Sequence, residues 1–323
     1  MSEPRPEIRQ ARAGYLLFLP ALVLMIVLLI LPVAIAAALS ASDYALGNPD
    51  IGWVGTENYS QLLSRSSYRK MMVATLAYVL IVTPASVALG LGAALLIRSL
   101  RVGQAFYKTV YFLPVMASLL AMAIVWEFAL HPTLGIVNRG LETLCGVDGL
   151  RAALSGSWAG LAPGATWFGR GCAQGFPLWL GDPDYAIWSI SFIGIWQGFG
   201  FSMVLYLAGL SGIPPELYHA AEMDGVRSGW ELFRLLTWPM LAPTTVFVVT
   251  VTTIRSFQVF DTVEALTDGG PVRSTYTILF AIYEKAIRQN LVGVGAALTV
   301  VFLAVVMAVS LIQRRLVERK VHA

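Results

Sequence analysis

The sequence predicts an all-α integral membrane protein with six transmembrane helices, and three observations carry that reading. Hydrophobic residues fill 57% of the 323 positions and charged residues only 13%, with a mean hydropathy of +0.70. Soluble domains run at about a quarter charged, so this much apolar surface cannot be hidden in one aqueous core and takes the bilayer as its solvent. The apolar residues are also gathered into charge-poor runs of spanning length, and the shorter connections on one side of them are the denser in basic residues. The net charge of +3 is spread along the chain, which gives a nucleic-acid interface no support.

Taken in order, residues 1–14 form a segment with Arg5, Arg9 and Arg12 that is expected in the cytoplasm. Tyr15 to Leu39 follows without a charge, enough for about 37 Å of helix at about 1.5 Å per residue. A cleaved signal peptide is the rival reading, with Ala36 and Ala38 as small residues near a cleavage site, but its apolar core should run only about 7 to 15 residues. The next charge-poor runs are Met71 to Ile97, Thr109 to Leu130 with Glu127 inside it, Tyr185 to Leu210, Met240 to Ile254, and Leu291 to Gln313. The fifth run is short. It reaches spanning length by taking in Leu236 to Trp238 or by continuing through Arg255 toward Phe260. Pro84, Pro114 and Pro243 are tolerated in such helices because neighbours satisfy the freed carbonyls. The spanning body is therefore 15–313, followed by a basic tail, 314–323.

Arg98, Arg101 and Lys108, then Arg227 and Arg234, then Arg314, Arg315, Arg319 and Lys320 join the N-terminal arginines on one side, which the charge bias assigns to the cytoplasm. The opposite loops hold nearly as many basic residues over about twice the total length, so the bias is moderate, and Arg69 with Lys70 counts against it. An even number of spans puts both termini inside, Arg227 in the cytoplasm and Trp158 outside. The outer loops are then about 40–69, 131–184 and 261–290. The middle one is rich in Gly and Trp, with a short helix expected at Asn138 to Leu144. Cys145 and Cys172, the only cysteines, both lie in it, where oxidising conditions permit a disulfide; two free thiols are the alternative.

The cytoplasmic loop 211–238 is a polar island with helical punctuation. Pro214 and Pro215 suit a first helical turn, and Gly225 suits the left-handed residue that closes one. Leu217, Ala220 and Ala221 then make a narrow apolar stripe at i, i+3, i+4, with Glu216, His219 and Glu222 facing elsewhere. So short a helix is marginal alone and needs a partner surface. A second short segment runs from Trp230 to Trp238 and leads through Pro239 into the fifth span.

This loop resembles the cytoplasmic signature of permease subunits of binding-protein-dependent ABC importers, which reads Glu-Ala-Ala, three residues, Gly, nine residues, Ile-x-Leu-Pro. Here it reads His219-Ala220-Ala221, three residues, Gly225, ten residues, Leu236-Thr237-Trp238-Pro239, with His219 in place of Glu and a spacer one residue longer. Leu217-Tyr218, Met223-Asp224-Gly225, Met240-Leu241-Ala242-Pro243, Trp53 to Tyr59 and Leu266 to Pro271 resemble the carbohydrate-uptake branch, sugar or glycerol-phosphate type. The resemblance covers most of the chain outside roughly 144–184, and the loop 131–184 is longer than the family leads one to expect.

The resemblance implies the ABC importer permease fold and a place in the bacterial cytoplasmic membrane. It implies four kinds of partner: a second homologous permease, two ATP-binding subunits, an external solute-binding protein and the lipid itself. His219, Ala220, Ala221, Glu222, Asp224, Gly225 and Pro239 would form the element that couples to the ATPase subunits. The chain has no GxxxxGK[ST] phosphate loop, so it is expected to bind no cofactor, with ATP and Mg on the partner subunit and no catalysis of its own.

Gln197, Ser202 and Tyr206 on the fourth span, with Arg255 and Gln258 at the end of the fifth, are candidates for the solute pathway; hydrogen bonding to neighbouring helices is the alternative for the first three. Arg255 has two further readings, snorkelling to the outer interface and an ion pair within the protein. Gly194 and Gly198 make a GxxxG, suited to a contact with a second permease or to internal packing. Glu127 and His131 fall short of a metal site, and none is expected. A self-sufficient secondary transporter or channel is the competing function, disfavoured by spans nearly bare of carboxylates; a membrane-embedded enzyme lacks a nucleophile and base pair.

Overall fold

The computed structural model describes residues 6–48, 50–146, 172, 175–226 and 228–321. Arg5, Trp158 and Arg227, to which the charge pattern assigns sides of the membrane, lie outside the described residues, as does much of the loop 131–184. The regular secondary structure of the described residues is helical, with one isolated antiparallel bridge between Ser42 and Trp53. Helix α1, Pro6–Met25, passes through a π-helical turn, Ile26–Ile30, into α2, Leu31–Leu39. Then come α3, Glu57–Ser64; α4, Ser66–Ser99; α5, Gln104–Met116; α6, Leu119–Ala129; and α7, Ile136–Cys145. Beyond the outer loop are α8, Pro183–Ser211; α9, Pro215–Met223; and α10, Gly229–Leu232. A π turn, Phe233–Thr237, runs on into α11, Trp238–Phe257, followed by α12, Asp261–Leu266. The chain closes with α13, Ile278–Tyr283, a π turn, Glu284–Arg288, and α14, Val292–Val321.

By length and composition five helical stretches can cross a membrane, and α5 with α6 makes a sixth if that bent pair counts as one span. The fifth stretch runs Gly229–Leu266, so the short apolar run gains length at both ends, through the π turn and through Arg255. The third departs from the continuous run expected at Thr109 to Leu130. It breaks after Met116 and resumes at Leu119, turning by 98°. Pro114 withholds one amide from the ladder, and Ala117 and Ser118 take extended ψ values of 144° and 126°. Hydropathy carries no trace of this, because the residues flanking the break are themselves apolar.

Two compact units divide the chain, Met1–Arg65 with Ala281–Val305, and Ser66–Phe280 with Val306–Ala323. In the first, the Trp53 to Tyr59 motif secures the end of α2. Asn58, buried, donates its carboxamide to the carbonyls of Ser40 at 2.9 Å and Ser42 at 2.8 Å, and the Ser40 and Tyr59 hydroxyls bond at 2.7 Å. A buried amide so satisfied fixes one chain path, since leaving it unpaired costs about 1–3 kcal/mol.

In the second unit α4 and α8 pack along their lengths. Gly90 permits this, because a Cβ there would stand 2.6 Å from the Ser202 Cβ and 2.9 Å from the Met203 backbone nitrogen. Gly194 likewise lies against the Tyr78 hydroxyl and Gly198 near the Ser86 hydroxyl, so the GxxxG serves packing on α4 within this chain. Toward the end of α4 a core of Ala94, Ile97, Met203, Tyr206, Leu210, Leu241 and Val248 fills the space between α4, α8 and α11. The expected helix in the outer loop is α7; Asn138 on it donates to the Pro132 carbonyl at 2.9 Å and accepts from the Trp179 indole at 2.6 Å. Cys145, at its end, is disulfide-bonded to Cys172, with Cα atoms 5.7 Å apart.

Candidate functional site

Two features of the second unit answer to function, a polar cleft and an uncovered loop. The cleft has a volume of about 390 Å³, within the range of about 300–1,000 Å³ typical of ligand sites. Its walls are the middles of two long helices and the end of a third: Tyr78, Val82 and Ser86 of α4; Gly194, Gln197, Gly198 and Phe201 of α8; Thr252, Arg255 and Ser256 in the last turns of α11. Two interruptions in the helices complete it. One is the break between α5 and α6, which contributes Ala117; the other is Gln258 to Phe260, between α11 and α12. Non-helical backbone at membrane depth is tolerated only where protein buries it or where it lines a watered cavity.

The second interruption is held from behind. Thr277 donates to the Val259 carbonyl at 3.2 Å, and the Ile278 amide donates to Thr75 of α4 at 3.0 Å. Between α12 and these residues the Leu266 to Pro271 motif makes a tight turn. In it Thr275 donates to the Gly270 carbonyl at 2.6 Å, and Gly269, at φ +74°, lies where a side chain would strike Phe280.

Of the five pathway candidates, Gln197, Arg255 and Gln258 line the cleft together. Arg255 pairs with no acid among the described residues; its guanidinium stands 4.4 Å from the centroid of the Phe201 ring. Ser202 and Tyr206 are elsewhere. Both are fully buried, Ser202 bonding to Thr252 at 3.3 Å behind the cleft wall and Tyr206 packed in the core. The reason is angular: five residues turn a helix by about 140° beyond a full turn and nine residues by about half a turn, so neither shares a face with Gln197. Residues not anticipated include Ser86, whose buried hydroxyl has no partner among the described residues, and Tyr78. A serine in a run of apolar residues on α4 was the available signal.

The loop is built as its sequence suggests. α9 starts at Pro215, and Gly225 at φ +89° closes it, with the Val226 amide returning to the Ala221 carbonyl at 3.1 Å. Asp224 is its C-cap, and Pro239 sits in the first turn of α11. His219 and Glu222 approach to 3.9 Å in the open. Leu217, Ala220 and Ala221 make no buried face on this chain: Leu217 and Ala220 are exposed and Ala221 half-buried. The residue that does pack inward is Tyr218, against the core. Elsewhere the His131 ring accepts from the Thr133 and Leu134 amides and so shapes a turn. No three His, Cys, Asp or Glu side chains converge among the described residues.

The chain is similar to known proteins over most of its length. Residues 86–322 match the family model described as "Binding-protein-dependent transport system inner membrane component". A probable ABC transporter permease protein, YurN, of Bacillus subtilis is 28% identical over 303 residues, 93% of this chain and 94% of that one. The sn-glycerol-3-phosphate transport system permease protein UgpA of Pectobacterium atrosepticum is 27% identical, covering 100% of this chain and 99% of its own. The trehalose/maltose transport system permease protein MalF of Thermococcus litoralis is 28% identical, covering 94% and 93%. A solved chain of a bacterial ABC transporter involved in import of the acidic polysaccharide alginate superposes with a TM-score of 0.75 at 20% identity, over 97% of each chain, and so shares the fold. A self-sufficient carrier or channel is thereby set aside. With a family match over most of its length and helices fit to cross a bilayer, the chain belongs to the binding-protein-dependent transport system inner membrane components, and it is the multi-pass permease of such an ABC importer.

Proposed function

We propose that this permease passes a sugar or a similar polyhydroxylated solute through the cleft, driven by ATP hydrolysis on separate subunits that dock on the α9 loop. The observation that carries the reading is the cleft itself, walled by three spans and two helix interruptions and lined with Gln197, Arg255, Gln258 and Ser86, whose hydroxyl has no partner among the described residues. Amides and hydroxyls beside the aromatic faces of Tyr78, Phe201 and Phe260 suit a solute with many hydroxyls. The printed names of the relatives, which concern sugars and glycerol phosphate, support the same class.

The working assembly is this chain, a second permease, two ATP-binding subunits carrying ATP and Mg, and an external solute-binding protein, with both termini and α9 on the cytoplasmic side. Closure of the ATP-binding subunits moves α9, the spans shift between outward and inward openings, and solute released outside crosses by alternating access. This chain makes and breaks no covalent bond in the cycle. Leu217, Ala220 and Ala221 supply the docking stripe, and Glu222 and Asp224 face basic groups of the partner.

Ala221→Glu tests the reading. A carboxylate forced into a docked interface is unpaired and costs several kcal/mol, so uptake into ATP-loaded proteoliposomes is expected to fall about a hundredfold. The ATP-binding subunit should be partly lost on purification while membrane insertion is kept. Wild-type uptake and full subunit retention would remove the docking role.

A further inference from the structure

We propose that Arg98 and Tyr218 form a single joint through which α9 moves all three helices of the cleft. The proposal rests on the coupling role of α9 given above. Tyr218 is the inward side chain of α9, and its ring carries the Arg98 guanidinium 4.9 Å from its centroid. Arg98 is in the last turn of α4, and the same guanidinium donates to the Leu210 carbonyl, at the end of α8, at 2.7 Å. The Tyr218 hydroxyl in turn meets the Thr237 hydroxyl, at the entry to α11, at 3.4 Å. So α4 and α8 are tied through Arg98, and α11 through Thr237, to one aromatic side chain.

The chemistry of each group fits a joint better than a mere plug. A helix ends in unsatisfied carbonyls with partial negative charge, and Arg98 stands at two such ends, its own and that of α8. A guanidinium can stack flat on a ring and donate in its own plane at the same time, which an ammonium cannot. From the joint to the cleft the helices run about 13 to 22 Å, from Leu210 to Phe201, Arg98 to Ser86 and Thr237 to Thr252. Packed helices of this length carry a displacement as rigid bodies. Arg98 is itself part of neither the cleft lining nor the uncovered stripe of α9.

The test compares Arg98→Leu, Arg98→Lys, Tyr218→Leu and Tyr218→Phe in proteoliposomes with the complete assembly, reading uptake and ATP hydrolysis in the same sample. For Arg98→Leu the ATP-binding subunits stay bound and basal hydrolysis persists, while solute moved per ATP falls about tenfold. Arg98→Lys keeps the charge but loses the flat stack, so it recovers only part of the ratio and also serves if the leucine variant does not fold. Tyr218→Phe keeps the ring under Arg98 and should exceed Tyr218→Leu in solute per ATP. An unchanged ratio in Arg98→Leu, or equal ratios for the two Tyr218 variants, overturns the joint. Failure of the underlying reading looks different: wild-type uptake would then be indifferent to ATP, and Ala221→Glu would be silent.

Discussion

At the cleft, hydroxyl side chains such as Ser86, Thr252 and Ser256 are buried and the helices are interrupted; at α9 and α10, apolar side chains stand in the open. Ser86 is 0% exposed with a hydroxyl that no described residue satisfies, whereas Met223 is 88% exposed and Trp230 70%. Each arrangement is unfavourable in isolation, since a buried unpaired hydroxyl and an uncovered apolar patch both forgo stabilisation. Both become favourable when something arrives: a hydroxylated solute for the first, a protein surface for the second. On the proposed function, the contrast separates the part that meets cargo from the part that meets machinery, and Tyr218 with Arg98 lies between them.

Two substitutions sharpen this contrast at the cleft, the larger first. Arg255→Gln removes the charge stacked on Phe201 but leaves the helix and its packing, so uptake is expected to fall about tenfold with assembly and basal ATP hydrolysis unchanged, the size of one lost polar contact to a ligand. Transport assays on purified assemblies check it, and unaltered uptake would leave Arg255 as a residue of the wall only. Ser86→Ala is subtler. Deleting an unsatisfied buried hydroxyl costs no protein hydrogen bond, so thermal stability should hold or rise slightly, while solute affinity during transport drops a few-fold. A loss of stability with unchanged solute dependence would mean the hydroxyl serves the fold.

Much of the architecture was legible because spans are set by length and hydropathy, and Tyr15 to Leu39 or Tyr185 to Leu210 carry no breaks to mislead. The α9 loop was legible because prolines and a glycine punctuate it locally. The bend at Ala117 and Ser118 was not, since it arises from how α5 and α6 seat in the fold, with only Pro114 as a hint. Gln197 and Arg255 could be picked out as polar residues among apolar ones. Ser202 and Tyr206 carried the same local signal yet face the core, because helical phase, which a five-residue step disrupts, decides what a side chain meets. Tyr218 and Arg98 are over a hundred positions apart, and no spacing rule links them; only the packing of α4 beneath α9 does.

The central claim is that solute passes along the α8 face bearing Gln197 and not along the face bearing Ser202. Since Cys145 and Cys172 are bonded to each other, a single introduced cysteine reports alone. In the reconstituted assembly, Gln197→Cys should react with a small thiol reagent and be protected when solute-loaded binding protein and ATP are supplied, while Ser202→Cys stays unreactive throughout. Reactivity at 197 that ignores solute, or solute-dependent protection at 202 instead, would contradict the account.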